Sequence, residues 1–141
     1  MTETSISFIE KIIEKTKQNE LRWIRYEQGN VELKPDKNNS LTNTALVAMR
    51  SALEPTPNKK SSFYAEYKDG FIFLIFYSDP ITHSGRITLR AQTKSGDHSK
   101  QYASTSGDDK DVVSQLKRLY NIIDASSDDD IDSFVNDFIK N

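Results

Sequence analysis

The spacing of apolar residues changes several times along the chain, and each change marks an element. Ile6, Ile9, Ile13 and Thr16 recur every three or four residues with Phe8 and Ile12 beside them, while Glu10, Lys11, Glu14, Lys15 and Lys17 fill the opposite side. The pattern predicts an amphipathic helix over about residues 5–18, capped by Thr4 or Ser5 and stopped at Asn19. Leu21, Trp23, Ile24 and Tyr26 then favour a strand, and the turn residues Gly29 and Asn30 ahead of Val31 and Leu33 leave a single strand or a short hairpin as the alternatives. Polar residues 35–40 read as a loop. Residues 42–54, rich in Ala, Leu and Met and closed by Pro55, read as a second helix, with a linker over 55–60.

The sharpest local signal follows. Residues 63–67 and 71–77 are two aromatic-rich runs separated by Lys68, Asp69 and Gly70, as a β-hairpin requires. The second run is apolar at odd and even positions alike, which predicts a central strand covered on both faces. Residues 86–92 alternate instead, with Ile87, Leu89 and Ala91 on one side and Arg86, Thr88, Arg90 and Gln92 on the other, so this strand is expected to be half exposed. The polar stretch 93–107 reads as a mobile surface loop pinned at Tyr102. Asp108 or Asp109 can cap a helix with an apolar stripe of Val112, Val113, Leu116, Leu119, Tyr120 and Ile123. A last helix follows Ser127 or Asp128, with Ile131, Phe134, Val135, Phe138 and Ile139 as its core side.

Together these elements predict one α+β domain over residues 1–141: an antiparallel sheet of about four strands, at 21–33, 62–67, 71–78 and 85–92, with an N-terminal helix and two C-terminal helices packed on it. A 141-residue chain with seven Phe, six Tyr and one Trp carries enough bulk for one self-sufficient core.

Composition narrows the chemistry. The absence of cysteine excludes disulfides, thiolate catalysis and Cys-ligated metal centres, and suits a reducing, cytoplasmic setting. No basic n-region precedes an apolar stretch, and no run approaches the length of a membrane span. The formal charge of −2 gives no global attraction to nucleic acid or anionic lipid. Catalysis finds no constellation: the only imidazoles, His83 and His98, fall in expected loops, and no nucleophile has an evident base and orienting group. The aspartates at 108, 109 and 111 and at 128–130 suit helix N-termini better than a calcium loop, which needs a central Gly and a terminal Glu. The five glycines are scattered, without a phosphate-binding spacing. No catalytic, metal or cofactor residue is therefore assigned.

Two binding surfaces remain. Arg86, Arg90 and Lys94 share one strand parity and would form a basic strip for nucleic acid if that face were solvated. The aromatic surplus, represented by Trp23 and Tyr64, would serve a protein partner or self-association if one sheet face stayed open.

Phe8, Ile12, Thr16, Leu21 and Trp23, with Leu116, Leu119, Tyr120 and the late Asp132-Ser133-Phe134, form a pattern over most of the chain that resembles a group of small uncharacterised bacterial proteins. Some of these are similar to proteins of phages and mobile elements. The resemblance implies no activity and transfers no functional residue. The expectation from the residues is thus a small non-enzymatic binding or regulatory protein acting through protein contacts, with nucleic-acid binding as the alternative.

Overall fold

The computed structural model describes residues 2–36, 56–78, 85–127 and 129–140. The chain opens with helix α1 (Thr2–Lys17), which begins earlier than its pattern predicts, so Thr4 and Ser5 lie inside the first turns rather than capping them. Its end follows expectation. Asn19 takes a left-handed φ of 61°, and the N–H groups of Asn19 and Glu20 reach back to the carbonyls of Thr16 (3.1 Å) and Lys15 (2.9 Å). This paired closure satisfies carbonyls that the last helical turn leaves free.

Among the described residues, six strands form one antiparallel sheet: β1 (Trp23–Arg25), β2 (Thr56–Pro57), β3 (Phe63–Tyr67), β4 (Gly70–Ser78), β5 (Gly85–Thr93) and β6 (Ser99–Ser104). Five lie side by side in the order β1-β3-β4-β5-β6, while the short β2 pairs with the end of β4 at Tyr77 and Ser78. The β3–β4 hairpin turns where predicted, with Tyr67 opposite Gly70 and Phe63 opposite Leu74. Lys68 adopts a positive φ of 52° in that turn. Helices α2 (Lys110–Ser127) and α3 (Asp129–Lys140) close the chain.

Both faces of β4 are covered, as its unbroken apolar run requires: Phe73, Leu74 and Ile75 are fully buried. The two covers differ in kind. On one face, Phe63, Ala65, Leu74, Leu89 and Ala103 meet Ile9, Ile12 and Ile13 of α1 and Val112, Leu116, Leu119 and Ile123 of α2. On the other, no helix packs among the described residues. Tyr26, Val31 and Leu33, from the non-repetitive segment after β1, cover Tyr64, Phe73 and Ile75. We refer to residues 26–36 as the strap.

The strap replaces the hairpin alternative at Gly29 and Asn30. After β1 the backbone makes a 3-10 turn (Tyr26–Gln28) and crosses the sheet, because Tyr26, Val31 and Leu33 gain more burial against the aromatic face than they would in an isolated two-stranded ribbon. Three further expectations are corrected. The stretch 93–107 is not a loop throughout, since Ser99–Ser104 forms strand β6 on β5. Its buried side chains at 99 and 104 are serines satisfied by hydrogen bonds, so hydrophobic alternation does not reveal the strand. The span 55–60 contains β2 and leads into a second 3-10 turn (Lys59–Ser61), whose Lys60 N–H is accepted by Asn58 Oδ1 at 3.1 Å. The outward face of β5 is not half exposed, because Thr88, Arg90 and Gln92 are all buried. The helix expected at 42–54 lies outside the described residues.

Candidate functional site

The five residues singled out from the sequence do not assemble into one surface. Trp23 lies on the helix-covered face, half-buried, and its indole N–H donates to Thr16 Oγ1 at 3.0 Å. Tyr64 lies on the opposite face, buried among Tyr26, Phe71 and Phe73 with ring centroids 5.7–6.4 Å away. It is a core residue, not part of an open aromatic face.

The expected basic strip is divided by the fold. Arg90 is only 5% exposed. Its guanidinium pairs with Asp36 at the end of the strap, donates to Ser99 Oγ from Nε (3.2 Å) and Nη2 (3.0 Å), and points Nη1 at Gln101 Oε1 (3.4 Å). Arg86 lays its guanidinium 5.0 Å from the centre of the Tyr77 ring. Lys94, just past the end of β5, bonds Glu66 Oε2 at 3.0 Å and lies 5.7 Å from the Phe71 ring. Arg90 thus lies under the strap, Arg86 is half-buried and Lys94 is exposed, so the three residues do not form one solvated strip.

Polar groups explain how the strap is seated. Lys34 N–H donates to Gln92 Oε1 (2.8 Å), while Gln92 Nε2 donates to the Glu32 carbonyl (3.0 Å). Ser99 Oγ donates to the Lys34 carbonyl (2.6 Å), and Ser99 N–H to that of Pro35 (2.8 Å). The Lys34 ammonium donates to the carbonyls of Thr93 (2.8 Å), Lys94 (3.2 Å) and Gly96. Burying amides and a guanidinium is tolerable only when each has such partners, so this network is a structural clamp.

Candidate chemistry is sparse. His98 is exposed and lies 2.9 Å from Asp97, whose carboxyl is held below its ordinary value chiefly by that hydrogen bond. His83 lies outside the described residues. Among the described residues no three His, Cys, Asp or Glu side chains gather as metal ligands. An open concavity of about 600 Å³ is lined by Glu3, Thr4, Ser7, Phe8, Ala91 and Tyr102, where the start of α1 meets β5 and β6. Its one carboxylate, hydroxyls and two rings lack a nucleophile paired with a base.

The apolar side of α3 also departs from its expectation. Its apolar side was expected to face the core, but Phe134 is 70% exposed, Phe138 78% and Ile139 74%, with Val135 at 44%. These positions follow the helical spacing of a docking surface, and large apolar side chains grouped in this way are uncommon on a solvated face. Elsewhere, the large apolar residues exposed among the described residues are the single positions Ile24 and Tyr67. The amphipathic pattern thus identifies the helix, but its apolar side is not buried within this chain.

No family model matches the chain, and no curated protein or solved structure does so either. No helix among the described residues is long and apolar enough to cross a membrane.

Proposed function

We propose that this is a small non-enzymatic binding or regulatory protein of a reducing, cytoplasmic compartment, and that it engages a protein partner through the apolar side of α3. The observation carrying this reading is the grouping of Phe134, Val135, Phe138 and Ile139 on an exposed helix face, while the aromatic sheet faces are already covered. Covering the two phenylalanines would contribute roughly 2–4 kcal/mol, enough to favour association when joined by neighbouring contacts. Tethering to the end of α2 presents the helix without requiring it to form alone, a step that short isolated helices make poorly.

The test compares the tagged full chain with its Phe134→Ser/Phe138→Ser variant in affinity capture from cells that encode it, analysed by mass spectrometry and by nucleic-acid staining. A protein retained by the parent and lost from the variant supports the reading. Equal recovery by both, or recovery of nucleic acid alone, overturns it.

A further inference from the structure

Charge around the apolar side of α3 specifies the partner further. With 100° between successive helical residues, Phe134, Phe138, Val135 and Ile139 span roughly 140° of the circumference. Asp132 falls roughly 20° outside the Ile139 edge, and Asp137 roughly 60° outside the Phe134 edge. Both are exposed. Lys140, the one basic residue of Asp129–Lys140, lies on the opposite side. The apolar stripe is thus bordered on each side by a carboxylate, and the one lysine lies outside the stripe, roughly 60° beyond Asp137.

We infer that α3 is the inserted helix of a helix-in-groove complex, and that its partner is a protein groove with an apolar floor and Lys or Arg on both rims. This rests on the reading of α3 as the docking element and adds the chemistry of what receives it. The same borders disfavour two other occupants. Pairing with α3 of a second copy, parallel or antiparallel, sets carboxylates against carboxylates along both edges of the seam. Helices that lie on anionic membranes carry Lys and Arg beside their apolar side, the reverse of this arrangement.

The experiment places a photo-crosslinking benzoylphenylalanine at position 138 of the full chain, irradiates it in lysate of cells that encode it, and maps the crosslinked peptides. Asp132→Asn and Asp137→Lys variants are run beside it. By the helix dipole the two substitutions act on α3 in opposite senses, and circular dichroism of each variant checks that its helix content matches the parent's, so that a shared loss reports the rim charges. The expected result is an adduct on an apolar segment flanked by Lys or Arg, with yield reduced about threefold or more in each variant and by added salt. An adduct on a neutral or acidic segment, or yields indifferent to both variants, overturns the basic rim while leaving the docking helix standing. Adducts confined to a second copy of this chain overturn the groove and turn the helix into a self-association element. Absence of any protein adduct overturns this inference together with the function proposed above.

Discussion

Replacing Arg90 by alanine tests whether the strap is held by the clamp described above or merely lies against the sheet. The guanidinium is almost fully buried and its partners come from β6 and the strap, with Asp36 lying 54 residues away in sequence. Alanine removes the buried methylene stem, which contributes about 2 kcal/mol, and the charge-assisted bonds to Ser99 and Asp36, offset in part by no longer desolvating a cation. The net expectation is a loss of about 3 kcal/mol. Asp36→Ala should be milder, about 1 kcal/mol, because that carboxylate is 59% exposed and Arg90 keeps its Ser99 partner. Arg90→Met, which retains the stem, should fall between them. Urea unfolding followed by Trp23 fluorescence reads all three, with Arg90→Ala lowering the midpoint by roughly 1.5–2 M. Hydrogen exchange localises the effect, since the amides of Lys34 and Ser99 bond across the clamp and should lose protection first in Asp36→Ala. An Arg90→Ala midpoint within error of the parent, or an Asp36→Ala loss as large as that of Arg90→Ala, would refute this account.

Other consequences follow from single contacts. A methyl group at Gly29 would sit 2.0 Å from Tyr64 Oη and 2.3 Å from its Cε1, and Tyr64 is hemmed in by other rings, so Gly29→Ala should destabilise by about 1–3 kcal/mol; an unchanged urea midpoint would show that the strap yields freely. Burial is the leading cause raising the phenol pKa values of Tyr26 and Tyr120 above the ordinary tyrosine value, Glu32 adding to it at the first and Asp124 at the second. Each phenol keeps its proton more firmly in the folded state, so their contribution is complete below the ordinary value, near pH 10, and is lost as pH rises through the higher folded values. Urea midpoints should therefore fall as pH rises above about 10, and a flat profile there would contradict the assignment. Phe134→Ser/Phe138→Ser should leave stability within about 0.5 kcal/mol of the parent, since both rings are exposed, and a larger loss by calorimetry would mean that α3 packs on its own domain in solution.

The pattern of residues by itself determined the α+β class, the helix ending at Asn19, the hairpin around Asp69 and Gly70, and the two-sided burial of 71–77. Each follows from a short-range requirement: a left-handed residue to close a helix, a tight turn between paired strands, and apolar side chains at both parities. Tertiary structure decided what no local rule contains. Arg86, Thr88, Arg90 and Gln92 alternate as a solvated face would, yet Glu32, Lys34, Asp36 and Ser99, distant in sequence except for the last, supply the hydrogen bonds that let two of them be buried. Strand β6 escaped detection for the related reason that hydrogen-bonded serines fill two of its buried positions. Periodicity in α3 likewise specified that one side prefers an apolar contact, because that preference is a property of the helix. Where the contact lies is a property of the assembled chain, whose sheet faces are already occupied by α1 and α2 on one side and by the strap on the other.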